Sequence, residues 1–244
     1  MKRIVFLVIR LLYRIPGWLL KIRYFNKNIE KTSFEERYTF TKKLIQKINE
    51  KSRVHIHCYG IENLPKEQGY LMTPNHQGLF DALIMFDTFP TYFKAIVKKE
   101  LMDVFVLKNV LRMIEFEAMD RENLRASMKL IKKASHELEE GRNYLIFPEG
   151  TRCRKQNQML EFKAGTFKTA IDAKKPIVPV ALIDCYKVFD NNTIKRVDAQ
   201  VHYLEPLYYE DYQEMNSSEI AQIVQQRIKE CIDEHENHVY DEKL

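Results

Sequence analysis

The first twenty-five residues, MKRIVFLVIRLLYRIPGWLLKIRYF, are rich in large apolar side chains but interrupted by Arg10 and Arg14. No charge-free run approaches the roughly 20 residues that a membrane-spanning helix needs. At about 100° per residue, Arg3, Arg10, Arg14 and Lys21 fall on one narrow stripe, and Val5, Val8, Leu12, Ile15, Leu19 and Ile22 fall opposite. The pattern predicts an interfacial helix that kinks or divides at Pro16-Gly17. Farther on, Phe34 to Ser52 carries apolar residues at helical spacing behind Ser33 and Glu36, a capping-box pair. Alternating or continuous apolar runs then predict strands at 54–59, 70–73, 93–97, 114–118, 143–147, 177–183 and 199–204. Helical patterns fall between them at 79–87, 98–111, 122–140, 163–173 and 217–235, and residues 236–244 read as a polar, frayed end.

Strands alternating with helices imply an α/β fold. The expectation is a single domain with a largely parallel central sheet flanked by helices, over residues 32–244. An amphipathic, membrane-associating helical segment precedes it over residues 1–31. The apolar run from Ile177 to Ile183 suits a strand covered on both faces.

Charge strengthens the distinction between the two parts. Over residues 1–31, Lys2, Arg3, Arg10, Arg14, Lys21, Arg23, Lys27 and Lys31 face a single acid, Glu30, a surplus larger than the net +5 of all 244 residues. Cations beside an apolar face fit anionic lipid, each contributing on the order of 1 kcal/mol near the surface. Trp18 and Tyr24 suit the headgroup belt. Nucleic-acid binding fits poorly, because the basic segment is too apolar. The short apolar run between Arg3 and Arg10, with no small-residue cleavage site after it, also argues against a removed signal peptide. Cys58, Cys153, Cys185 and Cys231 are scattered, suggesting neither a disulfide framework nor a metal centre, and a reduced compartment fits them. The remaining histidines, His55, His57, His136, His202, His235 and His238, show no partner pattern and read as structural or surface residues.

Two segments carry candidate chemistry. Asn75-His76-Gln77-Gly78-Leu79-Phe80-Asp81 falls where a short strand passes into a helix, the place where open α/β sheets put their sites. A neutral imidazole can take a proton from an alcohol, and a carboxylate can fix its tautomer and stabilise its cation. On one regular helix a five-residue separation leaves His76 and Asp81 about 140° apart. His76 is therefore expected in the turn ahead of the helix, a turn that Gly78 permits. The second segment, Phe147-Pro148-Glu149-Gly150-Thr151-Arg152, also follows a strand. A turn at Gly150 lets backbone amides approach an anion, Thr151 adds a hydroxyl, and Arg152 can pair with phosphate oxygens.

NHQGLFD and FPEGTR resemble the first and third motifs of the glycerophosphate and lysophosphatidate acyltransferase family. Gly60 to Pro65 resembles the segment ahead of the first motif, Arg121 the arginine of the second, Phe162 to Gly165 the sequel to the third, and Pro176 to Val180 the fourth. The likeness thus extends over residues 54–183. It departs at Gly78, where the family often has Ser, and at Ile114 to Met119, which lacks the glycine often found ahead of Arg121. The resemblance implies an O-acyltransferase that moves a fatty acyl group from acyl-CoA or acyl carrier protein to 1-acyl-glycerol 3-phosphate, giving phosphatidate in phospholipid biosynthesis. Other acceptors, namely glycerol 3-phosphate, a lysophospholipid or an acylated sugar lipid, and a non-catalytic lipid-binding role stay open. It implies catalysis by His76 and Asp81, substrate binding by Glu149, Gly150, Thr151, Arg152, Arg121 and Lys163, no cofactor, and a peripheral or monotopic place on the cytoplasmic face of an anionic membrane.

Overall fold

The computed structural model describes residues 2–236. Two helices, α1 (Lys2–Leu11) and α2 (Ile15–Lys27), lead into α3 (Phe34–Lys51). Next come β1 (Val54–Tyr59), β2 (Leu71–Pro74), α4 (Phe80–Thr88), β3 (Phe93–Lys98), α5 (Phe105–Met113), β4 (Glu117–Met119), α6 (Leu124–Glu139) and β5 (Asn143–Leu145). The chain continues through α7 (Lys168–Ala173), β6 (Ile177–Ile183), α8 (Tyr186–Phe189), β7 (Val197–Tyr203), α9 (Tyr209–Tyr212) and α10 (Ser217–His235). His238 and the predicted polar end from 237 onward lie outside the described residues.

The seven strands form one sheet in the order β1-β7-β6-β2-β5-β3-β4. β6, β2, β5, β3 and β4 run parallel, while β7 is antiparallel to β6 and carries β1 parallel to itself. The expected largely parallel sheet is present. Its centre is β2, flanked by β5 on one side and β6 on the other. The carboxyl ends of β2 and β5 therefore lie side by side, although about seventy residues separate the segments that follow them.

Each face of the sheet has its own core. One is aromatic, with Tyr38 of α3, Phe86 of α4, Phe93 of β3 and Phe116 among its buried members, joined by Ile22 and Phe25 of α2. The other gathers Ala134 and Leu138 of α6, Ala170 of α7, and Ile220, Val224 and Ile228 of α10. Ser33 caps α3 as expected, accepting from Glu36 N at 3.1 Å while Glu36 Oε2 accepts from Ser33 N at 3.0 Å.

The strand expected at 114–118 is displaced. Ile114 and Phe116 are buried in a turn leaving α5, where Glu115 takes φ +56°, and pairing starts only at Glu117. The alternation there fills core rather than extending the sheet, and Glu115 pairs with the buried Arg37 at 2.5 Å.

The amino-terminal segment forms helices, broken at residues 12–14, just ahead of Pro16. No described helix is long and apolar enough to cross a membrane. The cationic stripe is turned differently from expectation. Arg3 is buried and donates to Ser52 O at 2.5 Å and Lys195 O at 2.7 Å, and Arg10 reaches Lys51 O at 3.3 Å. These carbonyls at the end of α3 and ahead of β7 draw the stripe against the domain. Leu7, Leu11, Ile22 and Phe25 are buried beside it, whereas Val5, Val8, Leu12, Leu19 and Leu20 are left exposed.

Candidate active site

β2 ends at Pro74, and the next five residues make the turn into α4. Asn75 ties this turn to β6, its carboxamide donating to Leu182 O at 3.0 Å and accepting from Leu182 N at 2.7 Å. Asp81, wholly buried in the first turn of α4, holds the turn from the other side. Its Oδ2 accepts from Gln77 N at 2.6 Å, from Gly78 N at 2.9 Å and from the His76 ring at Nδ1, 2.7 Å away. Three donors on Oδ2 offset part of the cost of burying the carboxylate, whose Oδ1 has no hydrogen-bond partner among the described residues. The turn thus depends on Asp81 more than on glycine. Gly78 has no positive φ, and a Cβ there would meet Tyr186 Cα at an ordinary 3.4 Å.

With Nδ1–H directed at Asp81, the neutral imidazole presents Nε2 as its basic nitrogen. Among the described residues that nitrogen makes no hydrogen bond, and the side chain keeps 22% of its surface exposed. The ring stacks on Phe147 with centroids 4.1 Å apart, which fixes its plane. His76 and Asp81 therefore form the pair expected from the sequence, with His76 in the turn.

The segment after β5 reaches the same place. Glu149 is buried, and its two oxygens are already taken, Oε1 by His76 N at 2.6 Å and Oε2 by Leu160 N at 2.7 Å. These bonds brace the backbone that carries His76. Burial pushes its carboxyl up to about 7, against the two amide donors that favour the anion. Cys153 N donates to His76 O at 2.8 Å, a second tie between the two segments. Gly150 does take φ +71°, but its N–H is spent on Phe147 O at 3.0 Å, so it is not free to meet an anion.

A largely apolar cavity of about 770 Å³ opens beside Phe147, over the carboxyl ends of β3, β4 and β5. Ile96, Leu124, Met128, Ile131 and Ile171 supply its walls, and Arg121, Gly150 and Lys163 line it as well. Lys163 lies across Gly150, where a Cβ would meet its Nζ at 2.9 Å. Thr151 is exposed and lines a smaller neighbouring hollow with Glu149 and Lys163. Arg152 lines neither space, and among the described residues its side chain has no ion pair or hydrogen bond. The structure thus gathers His76, Asp81, Glu149 and Gly150, brings Arg121 and Lys163 to the cavity, and leaves Thr151 and Arg152 at the edge.

The acyltransferase family profile matches residues 55–183, about half of the chain and the whole of the site just described. The chain belongs to the acyltransferase family. Among similar proteins, the 1-acyl-sn-glycerol-3-phosphate acyltransferase of Borreliella burgdorferi is 33% identical over 135 residues, 55% of this chain and 54% of that protein. The enzyme of the same name from Helicobacter pylori is 28% identical over 159 residues, 61% of this chain and 67% of that one. The match spans about half the length of the Borreliella burgdorferi protein and of a probable 1-acyl-sn-glycerol-3-phosphate acyltransferase of Mycoplasma pneumoniae. The crystal structure of the 1-acyl-sn-glycerophosphate acyltransferase PlsC from Thermotoga maritima superposes with a TM-score of 0.73, covering 99% of this chain and all of that one. At 19% identity this last likeness establishes the shared fold.

Reading residue types missed two further members of this acyltransferase site. Gln77 accepts from Cys185 N at 2.9 Å and donates to Asn157 Oδ1 at 2.9 Å, joining the His76 turn to the loop after FPEGTR. A carboxamide in the middle of a motif gives no sign of its partner when that partner is eighty residues away. Phe147 could have been found from its place at a strand end, but its role as a ring plate needed the β2–β5 pairing.

Proposed function

We propose that this acyltransferase transfers a fatty acyl group from a thioester, acyl-CoA or acyl carrier protein, to the free hydroxyl of 1-acyl-glycerol 3-phosphate, yielding phosphatidate. The observation that carries the proposal is the His76–Asp81 contact of 2.7 Å, with Nε2 left available at a strand end beside an apolar cavity. In the reaction His76 Nε2 accepts the proton of the acceptor hydroxyl as its oxygen bonds to the thioester carbonyl carbon. Asp81 steadies the imidazolium that forms. The tetrahedral intermediate then expels the thiolate, which recovers the proton from His76, so base and acid are one residue. Atoms balance without an enzyme-bound acyl group. Arg152, Arg121, Lys163 and Thr151 supply the donors for the acceptor's phosphate, and the apolar cavity suits hydrocarbon.

The exposed face of α1 and α2 supports a seat on an anionic membrane. Val5, Val8, Ile9, Leu12, Leu19 and Leu20 are presented outward, and Phe105, 77% exposed, stands at the start of α5, which packs on α2. So many large apolar side chains exposed on neighbouring elements suit an interaction site. Arg14, Lys21, Arg23 and Lys27 remain exposed around it and suit lipid phosphates. A peripheral or monotopic place on the cytoplasmic leaflet, where acyl donors are made available, belongs to the same reading.

The test is product analysis with a labelled acyl donor and a panel of acceptors in anionic vesicles. Phosphatidate formed from 1-acyl-glycerol 3-phosphate at a kcat/KM above that for glycerol 3-phosphate and other lysolipids is expected. A preference for another acceptor would overturn the substrate, and no transfer to any would overturn the activity.

A further inference from the structure

Among the described residues, His202, Cys231 and His235 each offer one ligand atom within 4.8 Å of the other two. The cluster lies where the carboxyl-terminal turn of α10 meets β7, two strands from β2 in the sheet. Cys231 and His235 are four apart on a helix and so share a face. His202 stands on the β7 face beneath them, with its ring 4.6 Å from that of His235 and stacked on Tyr59 at 4.6 Å. His202 and Cys231 are buried, and His235 is half-buried at the wall of a cleft that also holds Glu230 and Glu234.

The hydrogen bonds around the cluster select particular ring tautomers. His202 Nε2 lies 2.9 Å from Gln200 Oε1, and the carboxamide oxygen can only accept, so the proton of the neutral ring sits on Nε2 and Nδ1 keeps its lone pair. His235 Nδ1 lies 2.9 Å from the Cys231 carbonyl, which likewise can only accept, so Nε2 keeps the lone pair on that ring. The Gln200 amide group completes the frame by donating to His235 O at 3.1 Å. An imidazole whose second nitrogen is held by a carbonyl-type acceptor is the usual arrangement around a bound metal.

We propose that His202, Cys231 and His235 form a site for a divalent transition metal of the zinc class, with water in the fourth position. Two imidazoles and a thiolate favour Zn²⁺ or Co²⁺ over the harder Mg²⁺ and Ca²⁺. Tetrahedral zinc, with bonds of roughly 2.0 Å to nitrogen and 2.3 Å to sulfur, sets its ligand atoms roughly 3.5 Å apart. The three ligand atoms lie within 4.8 Å of one another, so the side chains must rotate inward to close on an ion. Binding releases the Cys231 thiol proton to solvent and involves no change of oxidation state. The ion would clamp the end of α10 to β7. Glu236, the next residue, accepts from Asn157 at 3.4 Å, so the clamp would also steady the loop that Gln77 holds.

The site does not take part in acyl transfer and is tested apart from it. Co²⁺ is titrated into the full-length protein after chelation, and the absorption is followed. One equivalent bound with a thiolate-to-cobalt charge-transfer band, bleached by Zn²⁺, is the expected result. Cys231→Ser should remove the band, Cys58→Ser should leave it, and Gln200→Ala, which keeps all three ligands, should weaken binding by roughly 10–100-fold. Should Cys231→Ser not fold, His235→Ala carries the same test. Absence of a thiolate band overturns the proposal, as does a band that survives loss of Cys231. Cobalt bound without thiolate and lost on His57→Ala would assign the ion instead to the surface cluster of His55, His57 and Asp198, and would also overturn it.

Discussion

At the scale of single residues, Glu149 makes the sharpest claim. Its carboxyl is raised from 4.5 to about 7 by burial, so between those values the folded state binds a proton that the unfolded state has lost. Stability linked to this group is therefore full below about pH 4.5 and declines as pH rises toward 7. The difference corresponds to about 3 kcal/mol at most, at about 1.4 kcal/mol per unit. Denaturant titrations of wild type and Glu149→Gln across this window should show the wild type losing ground to the variant with rising pH. Parallel profiles would mean that Glu149 is ionised throughout. Arg152 has a different part. Its side chain is unengaged among the described residues, so Arg152→Ala should leave the fold and kcat nearly intact while raising KM for the phosphorylated acceptor about 10-fold or more, the value of a charged hydrogen bond. An unchanged KM would remove it from the phosphate site.

At the scale of elements, the amino-terminal helices show what periodicity can and cannot supply. The stripe of Arg3, Arg10 and Arg14 opposite Val5, Val8 and Leu12 is plain in the sequence. Which side turns inward is not, because Arg3 is bound by the carbonyls of Ser52 and Lys195, which lie far along the chain. The consequence is an outward apolar face, and Leu12→Glu or Leu20→Glu should lower partition onto anionic vesicles about 10-fold or more each. Turnover of a detergent-dispersed acceptor should hold. Vesicle binding unaffected by both changes would place the membrane contact elsewhere. The start of α3 was equally legible, since Ser33 and Glu36 satisfy one another locally; Ser33→Ala should cost about 1 kcal/mol by thermal denaturation. By contrast, Ile114 to Phe116 resembles a strand in sequence because a core-filling turn and a strand both alternate apolar and polar residues. Only the partners of Glu115 separate the two.

For the whole molecule, strand and helix order follows from alternating patterns, but strand neighbours do not. Parallel strands are joined by crossovers, so nothing local indicates that β2 lies between β5 and β6. That single arrangement sets FPEGTR against NHQGLFD. It turns two motifs into one site, with Phe147 stacked on His76 and Glu149 under its backbone. The contacts between His76 and Asp81 were legible because five residues and one turn contain them both. Those of Glu149 and Gln77 were not, because their partners come from across the sheet.

The His76–Asp81 mechanism is tested most directly by the initial rate of phosphatidate formation for wild type and His76→Ala, measured on the same anionic vesicles at equal bound protein. A fall of about 10²–10⁴-fold, with melting temperature and vesicle binding unchanged, is predicted. A variant that binds, folds and still turns over within a few-fold of wild type would contradict it.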